Sequence, residues 1–301
     1  MSVIDIRQSD AWSNYLTMYG WTSYKLAGGG LLRIARLPFF SLAKIHRVPC
    51  LFSGDLKEVE SICKTNRLIY TKVSPSLGQD LAVLESFGYK RRGGIDLPPR
   101  TAFIDLQQNE DVLWSNLTKD CRYCVTKSTK ANDKSVIVQS PSELQVEEYH
   151  RVLNDRGHST HYYVPSVQDH LEKVKCFGEE AFIATAYTEQ GSVLGVKMFL
   201  GYNGCVWYMY SGLTKLGVKS CGNYKLMWDS IIRFKKLGYK VMDLEGLCDS
   251  RLKRQTKKWK HYSDYKMQFG GTATDYPLPY SKYQVSAKMP ACYPRLVTPF
   301  N

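Results

Sequence analysis

Three stretches carry residue types and spacings that could act on a carbonyl or an amine. Tyr265-Lys266-Met267-Gln268-Phe269 runs into Gly270-Gly271. Its alternation reads as a strand, on which Lys266 is either a solvent-facing cation or a point charge able to stabilise an oxyanion. Asp243 and Glu245 stand two apart in Val241-Met242-Asp243-Leu244-Glu245-Gly246, a second strand pattern that puts both carboxylates on one face. They could accept an amine proton or bind the amine, or could merely counter the cations that follow. By the same period Tyr208 and Tyr210 share a strand face. Their rings and hydroxyls suit sugar or peptide contacts, although packing in a half-buried sheet is the commoner use.

Further motifs have weaker claims. Arg251 to Lys260 holds six cations, including Lys257, Lys258 and Lys260, with Trp259 inside the run and Tyr262 just beyond it. That composition fits a phosphate backbone or anionic lipid, or simply a solvated face. Cys121 and Cys124 form an isolated CxxC. A structural zinc site needs four ligands and no second pair follows, so no metal is expected. No Ser-His-Asp or Cys-His arrangement is evident. Lys219-Ser220-Cys221-Gly222-Asn223-Tyr224 approaches the basic-x-x-Gly-x-Gly/Ala turn whose backbone N–H groups cradle a pyrophosphate, but Tyr224 replaces its second small residue.

The elements that must position these residues follow from pattern. Leu31 to Leu37 reads as a strand, Val59 to Ile69 and Gln79 to Phe87 as helices, and Thr101 to Leu106 as a strand after Pro98-Pro99. Asp111 to Lys130 is a basic amphipathic helix. Ala181–Tyr187, Ser192–Tyr202 and Cys205–Tyr210 make an antiparallel meander with Asn203-Gly204 as a type I′ turn. A helix from Gly222 to Leu237 and the strand at 241–246 complete an order typical of an acetyltransferase-like core. The chain of 301 residues suits two domains, with a boundary near residue 107.

Composition adds boundary conditions. Forty-one Lys and Arg against 28 Asp and Glu give +13, a surplus that favours an anionic partner. The first dozen residues lack a secretory pattern, and no stretch approaches a spanning length of about 18 apolar residues. Nine scattered cysteines read as reduced thiols. A cytoplasmic protein without an integral membrane segment is expected.

Taken in order, several motifs resemble the FemABX family of peptidoglycan interpeptide-bridge aminoacyltransferases. They are Gln8-Ser9, Trp12, Gly20-Trp21, Thr101 to Leu106, Leu113-Trp114, Arg122, Lys127, Tyr208 to Gly212, Asp243 to Gly246, and Tyr265-Lys266 with Phe269-Gly270-Gly271. A family lysine shortly after the first Trp is replaced near Tyr15. The resemblance implies an α/β (α+β) fold of two tandem GNAT-like domains. The first would span residues 1–106, completed by 276–301, and the second 107–275 with the catalytic strand and the basic run. It implies an acyltransferase moving an amino acid from aminoacyl-tRNA to an amine of a muropeptide precursor, nucleotide- or lipid-linked. No cofactor beyond these substrates is implied, and a monomer is expected, cytoplasmic or peripheral at the inner membrane face. Lys266 and Tyr265 would be catalytic with Glu245 and Asp243, and Lys257, Lys258 and Lys260 would contact tRNA. Arg156, Tyr162, Tyr163, Tyr208 and Tyr210 would bind substrate. The alternatives are a CoA-dependent N-acyltransferase on the same fold, with a CoA thioester as donor, and a non-catalytic basic module for RNA or lipid.

Overall fold

The structure, a computed structural model, describes residues 3–38, 41–92, 94–160 and 163–284, the side chains of 156–160 excepted. Its strands are β1 Trp21–Lys25, β2 Leu31–Arg36, β3 Ser41–His46, β4 Leu68–Ser74, β5 Lys90–Arg91, β6 Arg100–Asp105, β7 Lys134–Gln139, β8 Ala181–Tyr187, β9 Val193–Tyr202, β10 Cys205–Leu213, β11 Val241–Asp243, β12 Thr272–Asp275 and β13 Tyr280–Tyr283. Its α-helices are α1 Asp10–Thr17, α2 Ser53–Thr65, α3 Leu81–Ser86, α4 Glu110–Asn116, α5 Lys119–Lys130, α6 Glu143–Thr160, α7 Val167–Phe177, α8 Lys215–Lys219, α9 Gly222–Lys236, α10 Lys253–Thr256 and α11 Lys260–Met267. None among the described residues is long and apolar enough to cross a membrane.

Two compact units result among the described residues: those up to Pro99 together with those from Asp275 to Gln284, and Arg100–Thr274. The first is built on a mixed sheet in the order β1-β2-β3-β4-β13-β5, where β13 returns from the far end of the chain to pair with β4 and β5. Its apolar core joins Leu32, Ile34, Ala43, Ile45 and Val73 of the sheet to Leu56 and Val59 of α2. The second unit is built on the order β12-β6-β11-β10-β9-β8-β7. The boundary therefore lies at residues 99/100 and not at 106/107. β6 pairs with β11, Ile104 opposite Met242, because Ala102 and Ile104 belong to the core of the second sheet.

That sheet lies between two helical layers. On one face α5 and α9 bring Cys121, Val125, Leu226, Met227, Ile231 and Phe234 onto Phe182, Phe199 and Tyr208. On the other, α6 and α7 bring Val146, Tyr149, Leu153, Leu171 and Val174 onto Ile183, Val196 and Met198. The spacing of the apolar residues on α9 is the three-and-four period of a one-sided helix. The β9–β10 hairpin turns through Asn203 and Gly204, both at positive φ (48° and 73°), the backbone a type I′ turn demands. Gly222 opens α9 in close contact with β9: a Cβ there would stand 2.4 Å from Leu194 Cδ1, so a larger residue would have to displace that leucine side chain.

Three local readings change. The single helix expected over 111–130 is two, α4 and α5, divided where Thr118 caps α5 through the Cys121 N–H (3.3 Å). The strand expected at 241–246 ends at Asp243. The strand expected at 265–269 is the end of α11 and the turn after it. There the four-residue spacing outweighs the apparent alternation: Tyr265 and Phe269 meet with ring centroids 5.2 Å apart, and the Ser263 hydroxyl donates to the Trp259 carbonyl at 2.8 Å.

Candidate functional site

β10 and β11 run parallel only from Cys205 opposite Val241 to Trp207 opposite Asp243, after which β11 stops while β10 continues to Leu213. At the point of parting a chain of hydrogen bonds shapes the backbone. Thr101 on β6 donates its hydroxyl to the Asp243 carboxylate, which also accepts the Glu245 N–H at 2.7 Å. Satisfying that bond folds Glu245 into the left-handed region at φ 55°, a conformation unfavourable for a residue with a Cβ. The Glu245 and Gly246 carbonyls then accept from the Lys266 ammonium at 3.1 and 3.0 Å. Asp243 is thus a buried structural carboxylate that sets the turn. It does not share a strand face with Glu245, as the alternation suggested, since Glu245 lies beyond the strand.

Lys266 also stands over the Tyr208 ring, 5.5 Å from its centroid. Burial outweighs the Glu245 and Asp243 charges and brings its ammonium down to about 8. A second lysine, missed in the sequence, completes the arrangement. Lys197 on β9 is fully buried, with its Nζ 2.5 Å from Asn223 Oδ1, 3.2 Å from the Tyr265 hydroxyl and 3.4 Å from the Tyr208 hydroxyl. It stands over both tyrosine rings, at 5.1 and 5.3 Å. Burial, with the Lys266 charge added, lowers it to about 7. The signal was present: Lys197 is a lone cation inside Val193-Leu194-Gly195-Val196-Lys197-Met198-Phe199-Leu200, too apolar a run for a solvent-facing lysine.

The first turn of α9 serves this pair. Asn223 accepts from Lys197 through its side chain and from the Tyr265 hydroxyl through its backbone carbonyl at 3.0 Å. Tyr224 packs on Tyr265 and stacks on Phe269, at 5.2 and 6.1 Å between centroids. Lys266, Tyr265, Tyr208, Asp243 and Glu245 are therefore brought together. Tyr210 is not. A β-bulge at Met209 sets Tyr208 opposite Phe199 but Tyr210 opposite Met198, on the other face, where it meets His170 (5.4 Å) and Lys173 (5.5 Å) under α6 and α7. The expected shared face of the two tyrosines is lost to that one extra residue.

Tyr163 stands exposed ahead of α7. The Arg156 side chain and Tyr162 lie outside the described residues. Lys257, Lys258 and Lys260 are exposed on the helical segment that leads into Lys266, Lys260 pairing with Asp264 at 3.0 Å. Cys121 and Cys124 lie a turn apart on α5, and burial pushes both thiols up to about 12.

No family model matches this chain, and no curated protein matches it. Solved structures do share its fold. FemX superposes with a TM-score of 0.78 at 12% identity, over 93% of this chain and 92% of that one. L-PGS from Bacillus licheniformis gives 0.63 at 14% identity over 89% and 86%. A tandem GNAT protein from the clavulanic acid biosynthesis pathway gives 0.53 at 12% over 86% and 80%. The chain has the tandem GNAT-like fold that these proteins share.

Proposed function

We propose that the second unit transfers an amino acid from aminoacyl-tRNA to an amine of a peptidoglycan precursor, with Lys266 stabilising the oxyanion. The observation that carries this reading is the Lys266 ammonium held at the parting of β10 and β11 by the Glu245 and Gly246 carbonyls. Two neutral carbonyls fix its position without cancelling its charge, which leaves a preorganised cation for the oxygen of a tetrahedral intermediate. A tRNA donor is supported by the exposed Lys257, Lys258 and Lys260. At a rise of ~1.5 Å per residue, Lys260 lies only about 9 Å along the α11 axis from Lys266. The acceptor rests on the motif resemblance. A CoA thioester is the less suited donor, because Gly222 packs on Leu194 and Tyr224 fills the second small position of the phosphate turn with an aromatic stack.

Lys266→Met tests the reading. Turnover with the true donor should fall ~10²–10³-fold, equivalent to about 3–4 kcal/mol, while the melting temperature stays near that of the parent. An unimpaired rate places the chemistry elsewhere. The donor is identified by which compound raises the melting temperature; a response to a CoA thioester and none to aminoacyl-tRNA would reverse the donor assignment.

A further inference from the structure

Three oxygens surround the Lys197 nitrogen, and they differ in what they can do. Asn223 Oδ1 only accepts. The Tyr265 hydroxyl spends its proton on the Asn223 backbone carbonyl at 3.0 Å, so toward Lys197 it too can only accept. Among the described contacts only the Tyr208 hydroxyl can turn round. It accepts from Lys197 when the amine is charged, and donates to the nitrogen lone pair when the amine is neutral. Two fixed acceptors match the two N–H bonds of a neutral amine, and the third contact absorbs the difference of one proton. From this geometry we infer that Lys197 and Tyr208 form a proton relay that removes the proton of the attacking amine. The inference rests on the acyl-transfer reading above and supplies it with a base other than Asp243, whose carboxylate already accepts from Thr101 and the Glu245 N–H.

The step balances. As the amine nitrogen bonds to the acyl carbon and the carbonyl electrons move onto oxygen beside Lys266, the nitrogen gives a proton to the Tyr208 oxygen. The Tyr208 proton passes to the Lys197 lone pair. When the intermediate collapses and the donor's ester oxygen leaves, the same path reversed returns the proton to that oxygen, and Lys197 is neutral again. A nitrogen brought to about 7 by burial serves such a path near neutrality, where both of its forms are populated. The Lys266 charge faces it directly. One contact further out lie Tyr224 and Cys121 about Tyr265, and Asp243 and Glu245 about Lys266.

The test uses the full chain carrying isotope-labelled lysine, with and without substrates. Without substrates, the Lys197 signal, assigned by its loss in Lys197→Met, should titrate near neutrality and shift its midpoint in Tyr208→Phe. A Lys197 that stays charged to pH 9 overturns the relay whatever the reaction. With substrates, single-turnover rates should show an acid limb near pH 7 that disappears in both Tyr208→Phe and Lys197→Met. Each variant should lose ~10²-fold at pH 8, and the double variant no more than either single one. An acid limb that persists in Tyr208→Phe, or losses that multiply, overturns the relay, and the Tyr208 arm holds even if Lys197→Met does not fold. A titrating, Tyr208-coupled Lys197 in a protein inert toward every donor rejects the acyl-transfer reading, and with it the relay's role toward an attacking amine, while proton exchange between Lys197 and Tyr208 stands.

Discussion

In the first sheet Arg33, Lys44 and Lys72 lie directly opposite one another on β2, β3 and β4, buried and in register. A carboxylate answers the two lysines, and another binds the neighbouring arginines Arg7 and Arg47. Asp96 stands 3.8 Å from Lys44, 3.4 Å from Lys72 and 3.3 Å from His46, and Asp5 binds Arg7 and Arg47 at 3.2 and 3.0 Å. Burial alone would raise the Asp96 carboxyl, but the His46 hydrogen bond and the lysine charges outweigh it and hold it well below the carboxylate range. In the second unit Lys197 on β9 and Lys266 on α11 contact amide, carbonyl and phenol oxygens and ring faces, and the Glu245 and Asp243 charges that act on Lys266 are outweighed by its burial. A carboxylate beside a buried lysine opposes the loss of its proton, whereas neutral oxygens leave burial to favour that loss. The first arrangement builds a scaffold and the second keeps its charge available for chemistry.

The contrast is most easily broken at Asp96. Asp96→Asn keeps the shape of the side chain but leaves Lys44 and Lys72 without their countercharge, so unfolding in urea should show a loss of ~3–5 kcal/mol. Lys266→Met should cost far less stability. Equal losses in the two variants would mean that the site lysines are structural as well.

Acid should act on both units. Burial lowers His46 to about 4 and His170, on the buried face of α7, to about 3. Both are neutral when folded and would titrate near 6.5 when unfolded, so the unfolded chain binds more protons below that pH. Their contribution is complete above about pH 6.5 and is lost as pH falls toward 4. For His46 it amounts to on the order of 3 kcal/mol at 1.36 kcal/mol per pH unit. Melting temperatures between pH 7 and 4 should fall steeply, and His46→Gln should flatten the slope. A flat profile would show that the histidines are not held neutral.

Much of this was legible in the sequence. The meander, its Asn203-Gly204 turn and α9 are written in long periodic stretches, and the ordered motifs around Tyr208, Asp243 and Lys266 point to the site. What escaped depended on single residues whose effect is tertiary. One extra residue at Met209 rotates Tyr210 to the opposite face, which no period-two count detects. The Asp243–Thr101 bond ends β11 and turns Glu245, yet joins residues 142 positions apart. Lys197 was hidden because a lysine in an apolar strand looks like an interruption until the fold supplies Asn223, Tyr208 and Tyr265 around it.

The exposed cations give the smallest effect on folding and sharpen the comparison from the solvent side. Among the described residues Lys257, Lys258 and Lys260 have no carboxylate partner in the core, and the Lys260–Asp264 pair is largely in solvent. An exposed pair of this kind contributes little to stability. Replacing all three by Gln should therefore move the unfolding free energy by no more than about half a kcal/mol. Binding to aminoacyl-tRNA should respond differently, because cations on phosphates act by releasing counterions. Log affinity should fall with log salt by roughly 0.7–0.9 per contact, so the triple variant should flatten the slope by ~2–3 while its melting curve stays unchanged. An unchanged slope would return the run to an ordinary solvated face and leave the tRNA assignment without its main support.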